Sequence, residues 1–378
     1  MKHLLPLLAS ACLLTACEMA PAGPKPASSA KPIATDVTPM TAAALDSSKS
    51  LTRIAFGSCL NETKEQDIWN TIAADNPDLF LFIGDNIYGD AYRSDPRWPD
   101  PAMPKMRESY NTLAAVPEFA EFRAQTPLLT TWDDHDYGAN DGGAYYPFKE
   151  LAERMYLDAW DVPQNDERRK RAGIHTSKII GPEGERVQII LLDTRYFRTE
   201  LQATDERGAP GKERYVPLQG THGTMLGEAQ WDWLQGELKK PADLRLLVSS
   251  IQVHADGHGW EAWRTMPAER QKLYDLINES GATGVVILSG DRHSGSIYRR
   301  DDVADYPIYE VTASSLNLPS AVWRAESGDT SVEAGPNRLH PMQYEANYGL
   351  INVDWESRKA ELKVVSPQGG DFVEIVDF

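Results

Sequence analysis

Ile287-Leu288-Ser289-Gly290-Asp291-Arg292-His293 is the stretch on which the fold turns. The apolar run from Val285 to Leu288 meets a glycine and then presents a carboxylate and an imidazole two positions apart. A short run of β-branched and Leu residues without polar alternation is the pattern of a strand buried on both faces. Open α/β sheets hold their ligands at the carboxyl ends of such strands. One such end is weak evidence, because Asp and Gly are ordinary turn residues. Other apolar runs in the chain end in the same way. Residues 53–56 lead into Gly57-Ser58-Cys59, and residues 78–83 into Gly84-Asp85-Asn86-Ile87-Tyr88-Gly89-Asp90. Residues 127–131 lead into Trp132-Asp133-Asp134-His135-Asp136-Tyr137, with Asn140 and Asp141 close behind. Residues 187–192 lead into Asp193-Thr194-Arg195, and residues 244–248 into Ser249-Ser250-Ile251-Gln252, followed by His254 and His258. Carboxylates gathered at neighbouring strand ends are costly unless a cation sits among them. The pattern predicts an α/β fold with a metal site where its strands end.

Between these runs, residues 65–75, 105–115, 117–124, 147–160, 228–240 and 267–280 read as helices. The second of the adjacent pair starts on Pro117, which suits a first helical turn. In the fifth, Trp231 and Leu234 share a face, and Lys239-Lys240 sits at the end where a helix dipole favours cations. Trp231 reads as core rather than as a ligand-stacking ring. After His293 the pattern changes. Residues 295–298, 308–312, 349–354, 360–365 and 372–376 read as short antiparallel strands that close the domain. Residues 313–345 read as a long irregular segment and residues 91–104 as another. Loops of such length often carry function.

The chain has 378 residues, enough for one large α/β domain or two ordinary ones. Its formal charge of −18 argues against nucleic acid and against anionic lipid as electrostatic partners. It leaves a phosphate substrate open, provided that metal ions supply the positive charge locally. At the N-terminus, Lys2 and His3 precede an apolar stretch over 4–14 that is too short to span a bilayer. It ends in Leu14-Thr15-Ala16-Cys17, which resembles a bacterial lipobox. That resemblance implies a signal peptide over 1–16 and a lipid on Cys17. A flexible tether over 17–50 and a globular domain over 51–378 would follow. The membrane is then a partner through this anchor, and Glu18 in place of Asp favours the outer membrane of a Gram-negative host. Cys12 leaves with the leader and Cys17 carries lipid, so Cys59 has no partner for an intramolecular disulfide. It is a core thiol, a thiolate ligand or a nucleophile, and the company it keeps favours the ligand.

The motifs FGSC (56–59), GDNIYGD (84–90), WDDHDYGAND (132–141), LDTRYFR (192–198) and SGDRH (289–293) stand in that order. Together they resemble the PhoD-type alkaline phosphatases, a branch of the calcineurin-like metallophosphoesterases, over residues 52–378. The resemblance implies a four-layer α/β/β/α sandwich with two mixed sheets. It implies hydrolysis of phosphate esters with iron, Fe(III), and calcium, Ca(II). Carried onto this chain, Cys59 and Tyr88 match the thiolate and phenolate ligands of iron, and Asp85 the carboxylate that bridges metals. Asp134 stands where ordinary metallophosphoesterases have the Asn of a Gly-Asn-His motif. Asn140 matches an oxygen ligand near calcium, and Asp291 and His293 the final ligand pair. Asp133 and Asp134 both remain candidates within the doubled pair, and His254 lies near a ligand position of the ordinary enzymes. The chain departs from many members in having no twin-arginine leader, and the N-terminal β-domain typical of larger members is not expected.

These residue types suit the chemistry. A carboxylate has two oxygens with which to bridge, thiolate with phenolate offsets the charge of trivalent iron, and oxygen ligands suit calcium. Paired metals lower the pKa of a shared water toward ~7, so direct attack of a metal-bound hydroxide on phosphorus is expected, without a phosphoenzyme. His135 has three open roles: supporting a ligand, protonating the leaving oxygen, or capping a turn. Arg195 either contacts phosphate in bidentate fashion or forms a structural salt bridge. Two rivals stand beside the phosphatase. One is a phospholipase D-like phosphodiesterase. The other is a non-catalytic metal- or glycan-binding surface lipoprotein, suggested by Trp260, Trp263 and Trp323.

Overall fold

The computed structural model describes residues 34–90 and 100–378. The leader, Cys17, residues 17–33 of the expected tether and residues 91–99 of the first irregular segment lie outside them. Along the chain run β1 (Arg53–Gly57), α1 (Ile68–Ala74), β2 (Leu79–Ile83), α2 (Pro104–Ala114), α3 (Pro117–Gln125) and β3 (Leu128–Thr131). Next come the short α4 (Asp134–Tyr137), α5 (Lys149–Ala159), β4 (Thr176–Ile180), β5 (Val187–Leu191), α6 (Gly227–Leu238) and β6 (Leu244–Val248). The last part holds α7 (Pro267–Ser280), β7 (Val285–Ser289), β8 (Gly295–Arg300), β9 (Ile308–Ala313) and α8 (Ser320–Ser327). It ends in β10 (Tyr348–Asp354), β11 (Lys359–Val365) and β12 (Phe372–Asp377).

The strands form two mixed sheets of six. In the first, ordered β12-β11-β10-β1-β2-β3, the last three strands are parallel and β10–β12 extend them antiparallel. In the second, ordered β4-β5-β6-β7-β9-β8, the four inner strands are parallel and both edges antiparallel. The fold is therefore of the α/β class, with two mixed sheets as expected.

Every residue of β2, β5, β6 and β7 is buried, and the four are apolar except for Gln188, Arg245 and the terminal Ser289. Successive side chains point to opposite faces and enter different apolar clusters. Leu79, Leu81 and Ile83 join a cluster shared with Val187, Leu246 and Leu288 of the other sheet. Phe80 and Phe82 face Trp69, Phe119 and Phe122 of α1 and α3 instead. Ile190, Leu247 and Ile287 pack on Trp231 and Leu234 of α6 and Leu273 and Ile277 of α7. Trp231 is thus core, as its helix face predicted. The helix α7 begins on Pro267 and stops at Gly281, whose φ of 69° makes a left-handed cap.

The structure departs from the sequence reading in four places. Residues 34–50, assigned to a tether, lie against the domain. Met40 is only 1% exposed, its N–H donates to Ala159 O at 2.7 Å, and Ala43 N–H donates to Arg123 O at 2.7 Å. The Ala- and Pro-rich stretch has no periodicity, but Val37, Met40 and Leu45 are isolated apolar pegs that pack on the core. The edge strand β4 was not expected, because Thr176-Ser177-Lys178 is polar and partly exposed; pairing with β5 recruits it. Helix α8 stands inside the segment read as irregular, with Pro319 before it and Gly328, at φ 69°, closing it. The run after His293 is not one antiparallel unit: β8 and β9 complete one sheet and β10–β12 the other. Among the described residues no helix is long and apolar enough to cross a membrane.

Candidate metal centre

Parallel strands from both sheets bring their carboxyl ends to one place. The residues that follow β1, β2 and β7 there take unusual backbone conformations. Cys59, Asp85, Asp291 and His293 have φ of 57°, 45°, 70° and 51°. Left-handed non-glycine residues are uncommon, and such strain clusters at functional sites. Gly84, at φ 123°, lets the end of β2 pass between its neighbours. A Cβ there would stand 2.8 Å from Asp133 Cβ and 3.0 Å from Ser250 Cβ, so only glycine fits.

Three donor groups share Asp85, one of them with Asp134 and His135. In another, ligand atoms of Cys59, Asp85 and His293 lie within 4.8 Å of one another. Cys59 Sγ is 3.4 Å from Asp85 Oδ2, and Tyr88 Oη is 3.3 Å from the same oxygen and 3.2 Å from His293 Nε2. His293 Nδ1 is 2.8 Å from Leu318 O, which sets the proton on Nδ1 and leaves Nε2 as the nitrogen that could accept a metal. The third group joins Asp85 to Asp133, Asp134 and Asp291 within the same limit. One oxygen each of Asp85, Asp133 and Asp134 is buried with no hydrogen-bond partner. Orphaned buried carboxylate oxygens are costly, and a cation among them removes the cost.

The charges tell the same story. Burial pushes the Cys59 thiol, the Tyr88 phenol and the Asp85 and Asp291 carboxyls well above their usual ranges, and neighbouring anions add to it. Burial lifts Asp133 to about 6 despite the opposing charge of Arg195. Asp134 goes the other way: burial opposes its ionisation, but His135, Arg195 and the Asp141 N–H outweigh it. A metal ion stabilises the anionic form of every donor it touches, which reverses the direction for the buried ones. Sulfur, phenol, imidazole and carboxylate donors at these distances fit a metal cluster in which Asp85 is the shared ligand.

His135 stands on α4, its Nδ1 2.6 Å from Asp90 Oδ1 and its ring centroid 4.1 Å from that of Tyr88. Burial favours a neutral imidazole, but Asp134, Asp85 and Asp90 hold this one protonated well above its usual range. A cavity of about 430 Å³ opens over these groups, with Asp134, His135 and His293 among the residues that line it. Trp260 lies on its wall with the Arg214 guanidinium 4.9 Å and the Arg292 guanidinium 5.8 Å from the ring centroid.

A family model of PhoD-like phosphatases matches residues 54–364. The chain belongs to the PhoD-like phosphatase family. Alkaline phosphatase D of Bacillus subtilis (strain 168) is 24% identical over 237 residues, which cover 57% of this chain and 37% of that protein. The match thus spans well under half of the relative's length. A solved structure of PhoD shares the fold, with a TM-score of 0.63 at 17% identity over 89% of this chain and 70% of that one.

Within the PhoD-like domain the expected site residues fall into distinct places. Cys59, Asp85, Tyr88, Asp134, Asp291 and His293 come together as described. Asn140 is exposed and lines the cavity. Of the doubled pair, Asp134 lines the cavity, whereas Asp133 Oδ1 accepts Arg195 Nε at 2.6 Å and Ser250 Oγ at 2.7 Å. Arg195 does not line the cavity: it is 0% exposed and tied to Asp133 and Glu261, with Nη1 2.5 Å from Glu261 Oε2, the salt-bridge arrangement of the two expected for it. His254 is not with the ligands either: it is buried, and its Nδ1 is 2.9 Å from Tyr274 Oη on α7. A further acidic trio, Asp134, Asp141 and Glu261, already has its cations. Arg214 is 2.6 Å from Asp141, and Arg198 is 2.9 Å from Glu261.

Several residues of the site went unread in the sequence. Ser314 Oγ is 3.2 Å from Cys59 Sγ and accepts the His293 N–H at 3.0 Å. It follows β9, a strand end that offers only Ala313-Ser314-Ser315 and carries no charge to flag it. Asp90 closes a motif already noted, and its offset from Tyr88 was a usable signal. Arg292 stands inside a motif already noted, between two expected site residues, whereas Glu261 and Arg214 stand in loops, where spacing says nothing about proximity.

Proposed function

We propose that this chain hydrolyses phosphate esters, monoesters or diesters, at a metal cluster held by Cys59, Asp85, Tyr88, Asp134, Asn140, Asp291 and His293. The observation that carries the reading is the set of buried, unpartnered carboxylate oxygens beside a thiol, a phenol and an imidazole under an open cavity. Thiolate with phenolate suits Fe(III) at Cys59, Tyr88 and His293, and the oxygen donors Asp134, Asn140 and Asp291 suit Ca(II). Ions held there supply charge to the phosphoryl oxygens and activate water for in-line displacement. The chain's own residues do the rest. Asp90 fixes the imidazole of His135 so that its other nitrogen serves the cavity, and His135 donates a proton to the leaving oxygen. Arg214 and Arg292, ion-paired to Asp141 and Glu333, line the cavity and offer guanidinium N–H donors to the ester. The mode of attack is direct, without a phosphoenzyme.

The test is elemental analysis of the purified domain together with hydrolysis of p-nitrophenyl phosphate and bis(p-nitrophenyl) phosphate, for the wild type and Asp85→Asn. Iron and calcium with turnover in the wild type, both lost in the variant, support the reading, and the faster ester names the preferred class. A phosphatidyl ester in the same assay tests the phospholipase-like alternative. A wild type that binds no metal and turns over neither ester after reconstitution with iron and calcium returns the chain to the binding-protein class. We also infer that Cys17 carries a lipid that anchors the domain to the outer membrane. Cys17→Ser should then move the protein from the membrane to the soluble fraction, and an unchanged membrane fraction sinks the anchor.

A further inference from the structure

The cavity is larger than a phosphoryl group requires and lies in the size range of sites for whole small molecules, ~300–1,000 Å³. Its lining is divided by chemistry. Carboxylates and imidazoles form the floor, the Arg214–Trp260–Arg292 group stands on one wall, and Leu318, Pro319, Val322 and Trp323 make an apolar lip. Val322 and Trp323 are 55% and 48% exposed, unusual for large apolar side chains that flank a polar site.

This lip is built into the metal centre. Leu318 O meets His293 Nδ1, and the first turn of α8 is hung from the same residue by a Ser320 N–H to His293 O bond of 2.9 Å. Leu316 N–H donates to Ser58 O at 3.0 Å, next to Cys59. Asn317 Nδ2 donates to Asn61 O at 2.9 Å and Asn61 N–H returns to Asn317 Oδ1 at 2.7 Å, which ties the lip to the loop after β1. The lip therefore has a fixed place relative to the ligand atoms. Whatever is bound to phosphorus on that side meets an apolar surface held by the ligand residues themselves.

We propose that Leu318, Pro319, Val322 and Trp323 form a subsite for an apolar arm of the ester, so that the domain selects phosphate esters of aromatic or aliphatic alcohols over those of hydrated polyols. The inference rests on the hydrolase reading and deepens it. An exposed indole and an isopropyl group lose water when a ring or chain covers them, and a polyol gains nothing there.

The experiment compares wild type, Trp323→Ala and Val322→Asp, each as metal-loaded protein, on 2-naphthyl phosphate, dihexanoylphosphatidylcholine below its micelle concentration, and glycerol 3-phosphate. Each variant is compared with the wild type on the same ester, which cancels the difference in leaving-group reactivity. The loss of kcat/KM should be about tenfold larger for an apolar ester than for glycerol phosphate. A larger loss on the naphthyl ester assigns the lip to aromatic arms, and one on the phosphatidyl ester assigns it to acyl chains. Equal losses on all three esters overturn the subsite. Binding is measured separately through tryptophan fluorescence, with phenylphosphonate against methylphosphonate. A wild type that prefers the phenyl compound, through Trp323, but hydrolyses nothing keeps the subsite and loses the hydrolase. One that hydrolyses esters but binds both phosphonates equally keeps the hydrolase and loses the subsite.

Discussion

Ser314 holds two ligand-bearing residues at once, the sulfur of Cys59 and the backbone N–H of His293. Removing such a supporting contact leaves the ligands in place but free to turn. Ser314→Ala should therefore lower metal affinity or turnover by about 10–100-fold, with little change in thermal unfolding. Metal titration followed by rate measurement checks this, and an unaltered affinity and rate would show that the hydroxyl positions nothing. Arg195 belongs to the same scale but to stability. Its guanidinium is fully buried between Asp133 and Glu261, and burial already pushes Glu261 up to about 7 against the pull of Arg195 and Arg198. Arg195→Met strips the cation and leaves two buried carboxyls, at a cost of about 3–5 kcal/mol. The loss is read from the urea midpoint. A raised KM with an unmoved midpoint is what a phosphate-contact role predicts instead.

The ends of β1, β2 and β7 act as one device, because each leaves its sheet through a left-handed residue, while β3 runs through an extended Asp133 into α4. Gly84 is the tightest point of this arrangement. A methyl group there presses on Asp133 and Ser250 and carries a φ that L-residues avoid. Gly84→Ala should shift Asp85 against the other strand ends and lower kcat/KM about a hundredfold, the effect of a misplacement of about 1 Å. Gly281, which caps α7 at φ 69° with open space around it, is the comparison. Gly281→Ala should cost about 1–2 kcal/mol of stability and leave turnover alone. Equal activity in the two variants would mean that the close approach at Gly84 has no bearing on the site.

Across the whole molecule, the histidines that are not ligands set a response to acid. Burial pushes His254 down to about 3, and burial with Arg171 pushes His175 down to about 2. Burial with Arg292 and Arg264 holds His258 well below its usual range. In the unfolded chain each takes up a proton near pH 6.5, so the unfolded state binds more protons in acid. Their contribution is complete above pH ~6.5 and is lost as the pH falls toward the folded values, by about 1.4 kcal/mol per pH unit for each group. Asp136 and Glu261, raised by burial to about 8 and about 7, work in the opposite sense, since their protonated forms suit the folded state. The slope is therefore read as a difference between variants. His254→Gln should flatten the fall in unfolding free energy between pH 6.5 and 5 by about 1.4 kcal/mol per unit, and parallel curves would refute a neutral buried His254.

The sequence by itself determined the class of the fold and most of the side chains that gather at its strand ends. Strands buried on both faces cannot hide their apolar runs, and polar residues directly after them in an α/β chain have few places to point. Cys59, Asp85, Tyr88, Asp134, Asp291 and His293 were legible for that reason, as were the helices whose faces repeat. Tertiary structure alone decided the rest. Asp133 and Asp134 are chemically identical neighbours, and only the position of Arg195 turns one into a salt-bridge partner while the other faces the cavity. Arg195 itself was ambiguous because a guanidinium suits a phosphate and a buried carboxylate equally well. Edge strand β4 and helix α8 lack a strong apolar pattern and are held by neighbours distant in the chain. Residues 34–50 lie on the domain through a few isolated pegs and through backbone bonds to Ala159 and Arg123, which are far along the sequence. Local pattern reports what a segment must bury; which groups then meet depends on contacts that no local pattern encodes.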